Sequence, residues 1–93
     1  METEITKEKL EKYSDLTTQA LEKAKSSIIS GKEAYAKEII NMTENYLSDA
    51  KHFQESGNLV NAFAALNYAH GWLDSGVRLD VFDVDDNSLF TVK

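Results

Sequence analysis

His70, Asp74 and Arg78 stand four residues apart, a spacing that stacks them on one side of a helix, with Asn67 adjoining. A histidine hydrogen-bonded to a carboxylate that is itself paired with an arginine can act as a general base. No serine, threonine or cysteine lies in a recognisable nucleophile motif, and Ser75 faces another side, so this constellation lacks an atom to activate. The competing reading is a polar ladder at a buried edge that fixes the register of this helix against the second one. Tyr68 and Trp72, one turn apart on a different face, add aromatic surface. Asn67, Tyr68, His70, Trp72, Asp74 and Arg78 therefore form the candidate ligand or interface set, and no residue is assigned as catalytic.

Metal and nucleotide chemistry find little support. His52 and His70 fall in different segments, and neither belongs to an HExxH or Glu-x-x-His pair. Asp83, Asp85 and Asn87 match positions one, three and five of a calcium loop. Ser88 stands where that loop needs glycine, and the bidentate glutamate would fall beyond Lys93, so a solvated acidic tail is the expectation. Gly31, Gly57, Gly71 and Gly76 are isolated, which leaves no phosphate-cradling loop. Neither histidine follows an arginine at the four-to-six-residue spacing of helical nucleases. No cofactor and no metal are expected.

A net charge of -6 and a pI near 4.8 disfavour nucleic acid or an anionic membrane as partner, since both require a concentrated positive face. After residue 51 only Arg78 and Lys93 are basic, so negative charge increases toward the C-terminus. The chain has no cysteine, which excludes disulfides, thiolate zinc sites and thiol catalysis. The N-terminal METEITKEKLEKY carries no apolar run, and no segment approaches the roughly 18 apolar residues of a membrane span; a cytoplasmic protein is expected. With 42% hydrophobic and 28% charged residues, a length of 93 residues suits one small globular domain.

The segment that must position the candidate residues is Asn58 to Leu79. Leu59, Ala62, Phe63, Leu66, Ala69, Leu73 and Val77 recur at three- and four-residue steps and form one helical stripe. Tyr68 and Trp72 occupy a second face, and Ala64 and Gly71 leave a flat strip on a third. A helix apolar on so many sides is normally enclosed on several of them, so this one is read as the central helix.

Two helices precede it. Over residues 4–29, Leu10, Tyr13, Thr17, Ala20, Leu21, Ala24 and Ile28 share a stripe, with Thr3 or Thr6 as cap. Ser30 and Glu33 have capping-box spacing, and Ile29 can staple onto Ala34. The second helix is expected over residues 32–55, with Tyr35, Ile39, Met42, Tyr46, Ala50 and Phe53 on its main stripe. Gly57 suits the left-handed position after its end, and Asn58 suits the N-cap of the third helix, so a tight antiparallel hairpin follows. Residues 80–93 read as an extended acidic tail whose Phe82, Leu89 and Phe90 fold back and cover Tyr68 and Trp72. The fold class is all-α: an up-and-down three-helix bundle with that tail and with strand content at most confined to it.

The run from Gly57 to Asp74, followed by Gly76, Arg78 and Leu89-Phe90-Thr91-Val92, resembles the archaeal family catalogued as domain of unknown function 357. The resemblance is densest from Tyr46 to Phe82 and implies a three-helix bundle in a cytosolic protein without an established activity. Asp80 departs from the glycine or small residue expected there. A weaker similarity links residues 43–76 to a single tetratricopeptide-like hairpin, with Tyr46, Ala50, Phe53, Gly57, Ala62, Leu66 and Ala69 at matching places but Asp74 where that repeat has proline.

Two functional expectations follow. One is a non-catalytic helical interaction module that docks an unidentified protein or a second copy, as a homodimer, through the third helix. The other is a small-molecule binder or weak enzyme with a pocket around His70, Asp74 and Arg78.

Overall fold

The computed structural model describes residues 4–86 and 89–90. Helices α1 (Lys7–Lys25), α2 (Glu33–Glu55) and α3 (Leu59–Arg78) form an up-and-down three-helix bundle, with no strand among the described residues. Helix α1 is shorter than its apolar stripe suggests. At its start the Thr6 hydroxyl accepts from the Lys9 amide at 3.1 Å; Thr3, the other candidate cap, lies outside the described residues. At its end the hydroxyls of Ser26 and Ser27 donate to the Lys23 carbonyl at 3.0 and 2.7 Å, competing with continued helical bonding.

The capping box expected between Ser30 and Glu33 does not form, because α2 begins later than the box requires. Its N-cap is Lys32, without a side-chain cap. The Glu33 carboxylate instead accepts from the Gly31 amide at 2.9 and 3.2 Å, so only the acidic half of the expected pairing has a role.

The α2–α3 joint follows its sequence signals closely. Gly57 takes φ 82, its amide donates to the Gln54 carbonyl at 3.1 Å, and the Asn58 amide donates to the Phe53 carbonyl at 2.8 Å. These two bonds close a Schellman motif. The Asn58 side chain then caps α3 by accepting from the Asn61 amide at 3.2 Å. Helix α3 ends in the same motif, with Asp80 N–H to Val77 O at 3.2 Å and Val81 N–H to Gly76 O at 2.8 Å. Asp80 occupies the left-handed position at φ 61, which gives the expectation of a glycine there a physical cause.

Helices α2 and α3 pack closely, and α1 lies against α3 more than against α2. On α2 the buried line is Ala36, Ile39, Thr43 and Ala50, rotated from the expected stripe so that Tyr35 faces out at 64% exposure. Small residues at 36 and 50 let the neighbouring backbone approach, and that outweighs the area a buried tyrosine would remove from water. Thr43 is fully buried and donates to the Ile39 carbonyl at 2.8 Å. One core cluster joins Leu10, Ala50, Ala62, Ala65 and Leu66; a second joins Ala20, Leu21, Ala24, Ile39, Leu73 and Val77 with the residues after α3.

Those residues return over the bundle without forming a helix. The Ile29 amide donates to Val81 O at 2.9 Å and the Asp83 amide to Ser27 O at 2.8 Å, giving one isolated antiparallel bridge between Ile28 and Phe82. Val81, Phe82 and Phe90 are buried, and the Phe82 ring lies against Gly76. Coverage therefore falls on the Leu73–Val77 side of α3 and not on Tyr68, which remains 62% exposed, while Trp72 is half-buried. Asp83 and Asp85 are exposed, and Asp86 pairs with Lys23 at 3.5 Å. Lys25 bridges to Glu44 at 3.2 Å, and that hydrogen bond holds the ammonium above its ordinary value. The Cα envelope is a slab of 41 × 26 × 16 Å, thin enough that α3, flanked by its two neighbours, keeps one side bare. The expectation that the returning chain covers Tyr68 is corrected accordingly.

Candidate functional site

His70 sits where three elements meet. Its Nε2 lies 2.6 Å from the Leu89 carbonyl, and because a carbonyl can only accept, Nε2 carries a proton and donates. Its Nδ1 lies 3.2 Å from the hydroxyl of Thr17, a fully buried residue of α1. In the neutral ring the Thr17 hydroxyl donates to Nδ1, so one tautomer satisfies both contacts. Asp74 Oδ1 stands 3.8 Å from the same Nε2, beyond hydrogen-bond range. Arg78 is exposed, and among the described residues no ion pair joins it to Asp74. The expected ladder is thus replaced by a clasp. It ties α3 to α1 and to the returning chain, not to α2.

That geometry leaves His70 poorly placed as a base. A general base needs a nitrogen lone pair open to a substrate, whereas here one nitrogen donates to the backbone and the other faces a buried hydroxyl. A shallow groove of ≈ 350 Å³ beside it is lined by Asn67, His70, Asp74, Tyr13 and Leu16 together with Leu89 and Phe90. Trp72 lines other depressions: one of ≈ 390 Å³ with Tyr35, Ile39, Leu79 and Val81, and another with Tyr68, Gly71 and Ser75. The six candidate residues are therefore split, with Asn67 touching both neighbourhoods and Arg78 lining neither. Among the described residues no group of three or more histidine, aspartate or glutamate side chains could hold a metal ion; Asn87 and Ser88 of the calcium-loop comparison lie outside them. Thr17 is the partner that sequence reasoning treated only as part of an apolar stripe. A hydroxyl in the middle of such a stripe was the available signal.

The bare side of α3 is the second feature. Val60, Ala64, Tyr68, Gly71, Ser75 and Leu79 fall within an arc of about 100° at 100° per residue. All six are exposed, with Val60 and Leu79 both at 68%. At the same 100° per residue Arg78 falls at the angle of Val60 and Asn61 at that of Leu79, so the one charged residue of the arc stands on its edge. Tyr68 stacks on Tyr46 of α2 with ring centroids 5.4 Å apart and planes inclined by 22°, so the apolar surface continues onto the next helix. The model of the family described as "Protein of unknown function (DUF357)" matches residues 12–82. The chain belongs to this family. The DUF357 match takes in Thr17, His70 and the whole of α3, and stops before Leu89 and Phe90. No curated protein and no solved structure matches the chain.

Proposed function

We propose that this DUF357 protein is a non-catalytic helical interaction module whose working surface is the bare side of α3 together with the adjoining edge of α2. The observation that carries the reading is an arc of exposed residues from Val60 to Leu79 whose one charge, Arg78, stands at its edge, in a chain with 28% charged residues. Large apolar side chains left in water along a whole helix, rimmed by polar groups, are the usual mark of a protein-binding surface. Tyr68, held by its stack on Tyr46, has the stiffness and area of an interface anchor. The enzyme reading needs a free imidazole nitrogen at His70, and the hydrogen bonds to Thr17 and Leu89 occupy both.

Capture from extract of the source cells, with the wild-type chain and Tyr68→Glu as paired baits, tests the proposal. Tyr68 is exposed and gives up only its stack on Tyr46, so the variant is expected to stay folded with a small drop in melting temperature and to lose the captured protein. Equal capture by both baits, or capture lost only with His70→Gln, would move the function elsewhere on the molecule.

A further inference from the structure

We infer that His70 is a proton-operated latch on the returning chain: taking up a proton tightens the hold of α3 on Leu89 and Phe90, and losing it loosens the strap that these residues lay beside the adjoining groove. The inference goes beyond the docking reading, since it concerns the α1 side of α3 and not its bare side. Three contacts converge on one imidazole. Nε2 donates to the Leu89 carbonyl at 2.6 Å, Nδ1 lies 3.2 Å from the Thr17 hydroxyl, and Asp74 Oδ1 stands 3.8 Å from Nε2. The Leu89 carbonyl belongs to a short turn in which the Leu89 and Phe90 amides donate to the Asp86 carbonyl at 3.3 and 3.0 Å. The buried Phe90 ring lies 6.5 Å from the imidazole between centroids. His70 thus grips the returning chain by its backbone, well beyond the seat of Phe82.

A further proton on this ring breaks no bond. In the neutral ring Thr17 donates to Nδ1; once Nδ1 is protonated the direction reverses, and the Thr17 oxygen accepts. The hydroxyl proton can then turn to the Tyr13 carbonyl one turn back, the kind of bond that Thr43 makes to Ile39. Both charge states therefore satisfy both nitrogens, but the cation does so with two charge-assisted bonds and faces the Asp74 carboxylate as well. The His70 and Asp74 side chains are 26% and 27% exposed, so water screens this pair only in part. Partial burial costs the cation some hydration, and the two strengthened bonds and the carboxylate replace more than that loss. The other titratable group of the groove is the Tyr13 phenol of α1; the returning chain contributes Leu89 and Phe90 there, without a charge, and α2 does not line it. Lys23 of α1 and Asp86 of the returning chain pair with each other at 3.5 Å. When the strap lifts, the ring meets water in place of the Leu89 carbonyl. Closure is therefore favoured as pH falls through the range in which an imidazole gains its charge, and is weakened as pH rises through it.

Amide exchange followed by NMR on the full chain, from about pH 5 to pH 8, tests the latch. After correction for the intrinsic pH dependence of exchange, protection of the Phe90 amide should be about three- to tenfold greater at the acid end. Its midpoint should coincide with that of the His70 ring signals and not with that of His52, which is exposed near the end of α2. His70→Gln retains an N–H that can donate to the Leu89 carbonyl but cannot take up the proton, so its profile should be flat. Asp74→Asn removes the facing charge and should reduce the acid gain while leaving the direction unchanged. Protection that is flat or falls toward acid in the wild type, a midpoint that follows His52, a wild-type profile in His70→Gln, or an undiminished gain in Asp74→Asn each overturns the inference. Should His70→Gln fail to fold, the direction and the midpoint in the wild type still decide it.

Discussion

Gly71 and Gly76 stand five residues apart on α3 and face opposite worlds. At Gly76 a Cβ would collide with the Phe82 ring and press on the Ile39 side chain, while at Gly71 it would touch nothing. The first glycine permits the returning chain to seal the inner side of the helix; the second lies on the side that none of the described residues covers. Both sides are largely apolar, so composition alone separates them poorly. What separates them is where the neighbours can reach: α1, α2 and the residues after α3 converge on Ala62, Leu66, Ala69, Leu73 and Val77, and among the described residues no further element lies over the remaining arc.

The sharpest way to break the inner side is Leu73→Ala. Leu73 is fully buried among Leu21, Val77 and Phe82, so truncation is expected to cost about 3 to 4 kcal/mol in a denaturant titration. In a domain of this size that is a large share of the total stability. Next is Gly76→Ala, which gains helix propensity but forces Phe82 away from its seat. Overpacking of this kind costs about 1 to 3 kcal/mol and outweighs the gain from replacing a helical glycine. An accompanying loss of amide protection at Val81 and Asp83 would locate the damage in the returning chain; unchanged protection there would mean that the ring adjusts in place.

A smaller effect is expected at the clasp. His70→Ala removes the contacts to Thr17 and Leu89 and leaves a buried hydroxyl on α1. Thr17 can fall back on the carbonyl one turn earlier, as Thr43 does with Ile39, so the cost should be about 1 to 2 kcal/mol. A double-mutant cycle with Thr17→Val would isolate the coupling, and strictly additive costs would show that the two side chains do not act as a pair.

The difference between the two sides was only half legible in the sequence. The helices, the Gly57–Asn58 joint and the α3 stripe depend on local chemistry: a left-handed glycine, an asparagine cap and a period of three to four residues. Each of these is written within a few neighbouring positions. The flat strip at Ala64 and Gly71 was also readable, but its exposure was not, because periodicity records that a face is apolar without recording what reaches it. Contacts across long separations were equally hidden. Thr17 and His70 are 53 residues apart and His70 and Leu89 are 19 apart, so the i, i+4 spacing of His70, Asp74 and Arg78 suggested a ladder where the fold makes a clasp. The Ser30–Glu33 signal failed for the same long-range reason, since the loop that leads into α2 is held by the Ile28–Phe82 bridge and the helix starts only after Lys32.

The comparison is finally sharpened by making the same change at the other glycine. Gly71→Ala adds a methyl group to an exposed helical position with no neighbour within 4 Å, so the packing cost is absent and the backbone entropy gain remains. The monomer should become more stable by about 0.5 to 1 kcal/mol, opposite in sign to Gly76→Ala. Thermal unfolding at micromolar concentration reads this directly, since dilution removes any contribution from association. If a partner occupies this side, a Gly71→Ala bait should capture less of it than the wild type, because the methyl group fills space above the helix backbone. Capture unchanged by Gly71→Ala would show that nothing approaches Gly71, and the bare side of α3 would have to meet its partner through Tyr68 and Leu79 alone.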